Sequence, residues 1–198
     1  QDLRQRGRQS PYARWYRVQF HEDNKHGDGF RYRGWHGTSS LPELKLSNRG
    51  VRQYLFETAR FWLSEVGIDG WRLDAAGDVA PSFWRAFREV CKAAKPDCLL
   101  FGELVYGEYG KYLGPAGLDA ATHYPLYETL CQALNHGRFG HLARLLREDM
   151  RQPAPGPLLS FLGNHDVSRP RSRLNNPAHF YPASVLLMGL PFVPCIYY

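Results

Sequence analysis

Three short apolar runs in this 198-residue chain each lead into an acidic side chain. The segments are IDGWRLD at 68–74, LLFGE at 99–103 and FLGNHD at 161–166. Each is typical of a buried strand that stops at a carboxylate. A carboxylate is costly to bury unless it is paired or used. Three of them at strand ends are what the active-site rim of an α/β barrel presents, so the pattern constrains fold and function together.

Composition indicates one globular domain with a substantial core. The chain is 43% hydrophobic, and its length favours a single domain. Five Trp, twelve Tyr and eleven Phe suit either a core or a sugar-binding cleft, so aromatic content does not separate the two. The general burial preference of these residues favours the core.

Charge and hydropathy argue against nucleic-acid and membrane partners. The net charge is +6, but no recognition helix, zinc spacing or RNA-type aromatic motif accompanies it. Basic charge without such a motif indicates a solvated surface. The longest apolar stretch, residues 185–198, is broken by Gly189, Pro191 and Pro194 and is too short to span a bilayer. We therefore predict that neither a nucleic acid nor a membrane is a partner of this protein.

The cysteine spacing does not indicate a metal site. Cys91, Cys98, Cys131 and Cys195 include no closely spaced pair of the zinc-binding kind. Cys195 lies in an apolar run and is predicted to be a small core residue. Cys91 and Cys98 could approach each other across a helix-to-strand loop, but free thiols are the favoured state.

The order of elements predicts a parallel sheet. Helices are predicted at residues 48–66, 81–94, 125–135, 139–150 and 177–188, and strands at 68–73, 98–101, 118–122, 158–162 and 192–198. Asn48 is predicted to cap the first helix. Residues 1–40 are expected to have little regular structure, and residues 107–117 to form a loop with at most a short helix. Alternating strands and helices imply a parallel sheet, and acids at successive strand ends favour a barrel over a doubly wound sheet.

Several segments resemble one known family. GWRLD at 70–74, FGEL at 101–104 and FLGNHD at 161–166 resemble three signature segments of the α-amylase family of glycoside hydrolases. The sequence LPELK at 41–45 resembles a further short motif before the fourth barrel strand, and PFVPCIYY at 191–198 resembles the eighth strand. SPY at 10–12 with Trp15, and NNPAH at 175–179, favour the cyclomaltodextrinase, neopullulanase and maltogenic-amylase branch.

The resemblance implies a (β/α)8 TIM barrel that is present only in part, as about strands 4 to 8 with their helices. Residues 1–48 would be a loop or small excursion domain after the third barrel strand, and residues 49–198 the C-terminal part of the barrel. The third-strand signature of the family is absent. We therefore expect a piece of a longer polypeptide that is inactive by itself.

The resemblance also implies residue roles. Asp74 matches the nucleophile, and Glu103 matches the general acid/base. Asp166 matches the third acid, which stabilises the transition state through sugar hydroxyls. Arg72 matches an arginine beside the nucleophile, and His165 a histidine on the sugar at the cleavage site.

The residue types make chemical sense independently of the resemblance. A retaining glycosidase needs one ionised carboxylate and one protonated carboxylic acid. Arg72 lies two residues before Asp74, so both side chains share one face of a strand, and the cation is expected to keep Asp74 ionised. Glu103 has no neighbouring cation in the sequence and follows an apolar run, which is expected to favour its protonated form.

Each site residue also has a structural interpretation. Arg72 and Asp74 could form a structural ion pair, Glu103 could cap a helix, and residues 164–166 could form a turn with local backbone bonds. Tyr106 and Tyr109 could line a sugar cleft or serve in surface or core packing. Asp69 is predicted to be structural.

The predicted activity is retaining hydrolysis of α-1,4-glucosidic bonds in maltodextrins, starch or cyclodextrins. The alternatives are an α-glucan transglycosylase on the same fold, a non-catalytic carbohydrate-binding relative and a structural subunit. The predicted partner is an α-glucan oligosaccharide or polysaccharide, with a homo-oligomer possible in the full-length protein. No cofactor is identifiable, and calcium remains possible only through segments absent from this chain.

Overall fold

The computed structural model describes residues 2–21, 29–115 and 117–197. The chain forms two compact units, residues 1–65 and 66–198. Residues 22–28 of the predicted irregular segment, Ala116 of the predicted loop and Tyr198 of the predicted last strand lie outside the described residues. The domain boundary predicted after residue 48 stays a prediction.

The first unit contains a small antiparallel ribbon, so the expectation of little regular structure in residues 1–40 is wrong there. Strand β1 (Val18–Phe20) pairs with β2 (Phe30–Tyr32), with Phe20 opposite Phe30. The rings of Phe20 and Phe30 lie 6.0 Å apart, and Phe30 is buried. Each strand has only three residues, which is too short for an alternation pattern to stand out in the sequence.

The helices of the first unit are α1 (Asp2–Arg6) and α2 (Arg49–Phe61), and α2 continues into a wider turn at Trp62–Val66. The predicted N-cap is confirmed, because the Val51 N–H donates to Asn48 Oδ1 at 3.1 Å. The Asn48 amide also donates to the Arg14 carbonyl at 3.1 Å, so the cap ties α2 to the preceding segment.

The second unit is built on a five-stranded parallel sheet with strand order β3-β4-β5-β6-β7. The strands are β3 (Gly70–Leu73), β4 (Leu99–Gly102), β5 (Ala120–Thr122), β6 (Leu158–Phe161) and β7 (Val193–Cys195). All five predicted strands are present. Every strand pairs with its neighbour in sequence, which is the order of a barrel segment; a doubly wound sheet reverses direction at a switch point.

Helices connect these strands. They are α3 (Pro81–Ala94), α4 (Tyr109–Tyr112), α5 (Tyr124–His136), α6 (Phe139–Arg151), α7 (Pro170–Arg173) and α8 (Phe180–Gly189). The predicted break between α5 and α6 is confirmed at Gly137, which adopts a left-handed conformation with φ of 69°. The short helix α7 was not predicted, because four residues are too few for a helical period.

Burial is greatest in the middle of the sheet and least at its last strand. Every residue of β5 is buried, whereas every residue of β7 is exposed. The prediction of Cys195 as a core residue is therefore wrong, because β7 is the edge strand of the sheet and Cys195 is exposed. Cys91, Cys98 and Cys131 are buried, and all four thiols are free.

One core cluster of the second unit lies between helices. Leucines and alanines of α5, α6 and α8, with the leucine that directly follows α7, form one cluster: Leu126, Leu130, Ala133, Leu134, Leu142, Leu174 and Ala183. A smaller aromatic cluster beside it contains Tyr124, Tyr127, Cys131 and Phe161. Over the described ranges, none of the helices has the length and apolar character needed to cross a bilayer.

Candidate active site

Two of the predicted acids stand side by side at the carboxyl edge of the sheet. Leu73 at the end of β3 is in register with Gly102 at the end of β4, and Asp74 and Glu103 directly follow them. Parallel pairing therefore brings together two side chains that are 29 positions apart in sequence. Asp166 reaches the same region from the loop that follows β6.

Arg72 is the contact that joins the three acids. Its Nη1 donates to Asp74 Oδ1, and its Nη2 lies 3.1 Å from Glu103 Oε1 and 3.8 Å from Asp166 Oδ2. Burial opposes the charge of Arg72, but the bond to Asp74 and the charges of all three acids outweigh it and raise the pKa of Arg72. The planar guanidinium thus stays charged and fixes the acids in one arrangement.

Glu103 is the most enclosed of the three acids. Its side chain is 11% exposed, compared with 77% for Asp74 and 50% for Asp166. Its Oε2 accepts from the Ala75 N–H at 2.8 Å, and its Oε1 accepts from the Tyr124 hydroxyl at 3.2 Å. No cation lies near Glu103 in the sequence, but strand pairing places Arg72 beside it in the fold.

The backbone around Glu103 is shaped for this contact. Ala75 adopts a left-handed conformation with φ of 43°, which costs a residue with a β-carbon about 1–2 kcal/mol. That conformation directs its N–H at Glu103. A Cβ at Gly102 would lie 2.4 Å from the buried Leu118 Cδ1 and 3.2 Å from the Cβ of Ala76, so a larger residue before Glu103 would force Leu118 to move.

The loop after β6 is held by its own side chains. Asn164 Oδ1 accepts from the Asp166 N–H at 2.9 Å, so the local turn weighed as an alternative does exist. His165 Nε2 lies 3.1 Å from Asp166 Oδ2. The Asn164 amide donates to the Tyr124 hydroxyl at 2.8 Å. The turn therefore presents His165 and Asp166 to the same space as Arg72.

The two candidate cleft tyrosines differ. Tyr106 is 85% exposed, and its place in a sugar cleft stays a prediction. The Tyr109 hydroxyl instead lies 2.9 Å from Nδ1 of the fully buried His123, whose Nε2 is 3.1 Å from Asp149 Oδ2. Burial, with the charge of Asp149, raises the pKa of Tyr109. The Tyr109 hydroxyl is therefore held by a buried hydrogen-bond chain that runs through His123 to Asp149.

Two contributors to the site, the Tyr124 hydroxyl and the Ala75 N–H, were not predicted from the sequence. A signal existed for Tyr124, because it lies two residues after β5, and the rule that identified acids at other strand ends also applies there. No signal existed for Ala75, since a left-handed alanine looks like any other alanine in the sequence.

Comparison with known proteins identifies the family of this chain. The family model described as the alpha amylase catalytic domain matches residues 5–198. The chain belongs to the α-amylase family. Neopullulanase 2 of Thermoactinomyces vulgaris is 34% identical over 205 residues, and the maltogenic alpha-amylase of Bacillus acidopullulyticus is 31% identical over 212 residues. Each alignment covers 100% of this chain but only 34% of the relative.

Solved structures of the α-amylase family share the fold. The ligand-free cyclic α-maltosyl-(1→6)-maltose hydrolase from Arthrobacter globiformis superposes with a TM-score of 0.85 at 27% identity, covering 100% of this chain and 46% of that one. A debranching enzyme of Nostoc punctiforme gives a TM-score of 0.83 at 27% identity, covering 100% and 47%. The predicted partial barrel is thus confirmed, and so is the resemblance to the maltogenic-amylase and neopullulanase branch.

Across the described residues, no group of three or more His, Cys, Asp or Glu side chains is arranged to hold a metal ion.

Proposed function

We propose that the complete protein carrying this chain is a retaining glycoside hydrolase that cleaves α-1,4-glucosidic bonds in maltodextrins, starch or cyclodextrins. The observation that carries the proposal is the convergence of Asp74, Glu103 and Asp166 on Arg72 at the carboxyl edge of the sheet. Relatives named neopullulanase and maltogenic alpha-amylase support the substrate class.

In the first half of the proposed reaction, the exposed Asp74 carboxylate attacks the anomeric carbon of the sugar. A bond forms from that carbon to Asp74 Oδ while the glycosidic carbon–oxygen bond breaks. Glu103 in its protonated form gives its proton to the leaving oxygen, which departs as a free hydroxyl. Asp166 and His165 hold sugar hydroxyls through hydrogen bonds that strengthen as positive charge develops on the ring.

In the second half, water takes the place of the departed sugar. Glu103, now ionised, accepts a proton from the water molecule while the water oxygen forms a bond to the anomeric carbon. The ester bond to Asp74 breaks, and its electron pair returns to the carboxylate. Both groups regain their starting states, and the anomeric configuration is retained because it has been inverted twice.

The test uses the complete protein with maltoheptaose, β-cyclodextrin and pullulan. Proton NMR of the first product is expected to show the α anomer. Glu103→Gln should slow hydrolysis by about 10²–10⁴-fold, because general acid–base catalysis is lost. Glu108→Gln is the matched control, since Glu108 is an exposed acid paired with Lys111.

Three outcomes would contradict the proposal: a β anomer as the first product, full activity of Glu103→Gln, or no cleavage of any of the three glucans. Products longer than the substrate would favour the transglycosylase alternative, because a sugar hydroxyl can replace water in the second half.

A further inference from the structure

The Tyr124 hydroxyl lies between two parts of the proposed site. It donates to Glu103 Oε1 at 3.2 Å and accepts from the Asn164 amide at 2.8 Å. Asn164 in turn accepts from the Asp166 N–H at 2.9 Å. A continuous path of hydrogen bonds thus runs from the end of β4, through the start of α5, to the loop after β6. We name this path the Tyr124 bridge.

The direction of the hydrogen bonds in the Tyr124 bridge follows from the donors available. A phenol has one hydrogen and can also accept. The Asn164 amide nitrogen can only donate, so it occupies a lone pair of the Tyr124 oxygen. The hydrogen of the phenol is then free to point at Glu103 Oε1, which in its ionised form can only accept.

Tyr124 is held in place by its surroundings. It is the first residue of α5, is followed by Pro125 and is buried. Its ring packs edge-on against Phe161, the last residue of β6, with centroids 4.9 Å apart and an interplanar angle of 76°. Burial raises the pKa of Tyr124, the charges of Glu103 and Asp166 raise it further, and the Asn164 bond acts in the opposite direction. The group therefore remains an O–H donor.

We propose that Tyr124 is a positioning residue that favours the ionised form of Glu103 and fixes Glu103 against the loop carrying Asp166. This inference rests on the proposed function. Its chemical consequence lies in the second half-reaction, where Glu103 must accept a proton from water. A donor aimed at the carboxylate stabilises that form before water arrives and opposes protonation of Glu103 in the first half.

The test substitutes Tyr124→Phe in the complete protein. Loss of the donor leaves Glu103 protonated to higher pH, so the alkaline limb of the profile of kcat/KM against pH should move upward by about one pH unit. Asn164→Ala should move it in the same direction but less, because the phenol remains and loses only its orientation. Tyr127→Phe is the matched control: Tyr127 is a buried neighbour stacked on Phe161, and it should leave the profile unchanged.

A second measurement does not depend on activity. Carbon-13 NMR of glutamate side chains, assigned by the signal lost in Glu103→Gln, follows the protonation of Glu103 directly. An upward shift in Tyr124→Phe supports the Tyr124 bridge, and an unchanged titration overturns it. If the wild-type protein cleaves no glucan, the proposed function fails, while the titration still decides whether Tyr124 acts on Glu103.

Discussion

The carboxylates at the two ends of the parallel sheet differ in how many cations they contact. At the amino end, Asp119 precedes β5 and receives bonds from Arg88, from Lys92 Nζ at 2.9 Å and from the Leu100 N–H at 2.9 Å. Burial alone would raise the pKa of Asp119, but the bonds from Arg88 and Lys92 outweigh it and lower that pKa. At the carboxyl end, the single cation Arg72 contacts three acids.

Backbone strain follows the same division. Among the described residues of the second unit, the non-glycine residues with positive φ are Ala75 and Glu108, with values of 43° and 50°. Both lie in segments that follow the carboxyl ends of strands, β3 and β4 respectively. One end of the sheet thus holds an acid paired with two cations, and the other holds three acids around one arginine, two of them in segments that also contain a residue with positive φ. The first arrangement favours stability and the second favours chemistry.

The largest expected effect is at the carboxyl end. In the complete protein, Asp74→Asn should reduce kcat on maltoheptaose by on the order of 10⁴-fold or more, because no nucleophile remains. The thermal unfolding midpoint should stay close to that of the wild type, since the Asp74 side chain is 77% exposed. A lowered unfolding midpoint with preserved activity would contradict the idea that the carboxyl end of the sheet serves chemistry and not stability.

An intermediate effect is expected at the amino end. Asp119→Asn weakens the charged hydrogen bonds from Arg88 and Lys92 and should lower the free energy of unfolding by about 2 kcal/mol. The specific activity of the folded protein should not change. Urea unfolding followed by circular dichroism, together with rates at a temperature where both proteins are folded, measures the two quantities. If Asp119→Asn reduced activity without reducing stability, the amino end of the sheet would not have a purely stabilising role.

The Asp119 effect should depend on pH in a defined direction. Because folding lowers the pKa of Asp119, its contribution is fully present above the unfolded value, near 4, and disappears as pH falls through the lower folded value. The difference in stability between wild type and Asp119→Asn should therefore be constant from pH 5 to 7 and shrink below pH 4. Urea titrations across that range test it, and a difference that grows on acidification would be inconsistent with the ion pairs.

The smallest effect is expected at Asp69, which also lies at the amino end. Its ion pair with Lys95, at 2.7 Å, is fully open to solvent on the aspartate side. Exposed pairs of this kind contribute little, because water and salt screen them. Asp69→Asn should leave both the unfolding midpoint and the activity unchanged within measurement. A clear loss of stability in Asp69→Asn would show that the exposure of an aspartate side chain does not decide how much its ion pair stabilises this fold.

The features that could be predicted from the sequence are long elements and charged residues that directly follow apolar runs. The parallel sheet was predictable because each strand is an apolar run bounded by a helix, as at Leu99–Gly102. Asp74, Glu103 and Asp166 were identifiable because acids after apolar runs stand out. The contact of Arg72 with Glu103 was not predictable, since it depends on the register that places Leu73 opposite Gly102.

The same limit applies to shorter features. The ribbon of β1 and β2 has three residues in each strand, and α7 has four residues in total. Neither is long enough to show a period. The edge position of Cys195 is a property of strand order, which an apolar sequence run does not contain.

The Arg72 contact also has a consequence for inhibitor design. Three carboxylates around one guanidinium leave an excess of negative charge when all are ionised. A sugar analogue with a protonated amine in its ring should therefore bind more tightly than the neutral lactam of the same shape. The ratio of their inhibition constants, measured across pH, would show how strongly the site attracts a positively charged ring when no bond is being broken.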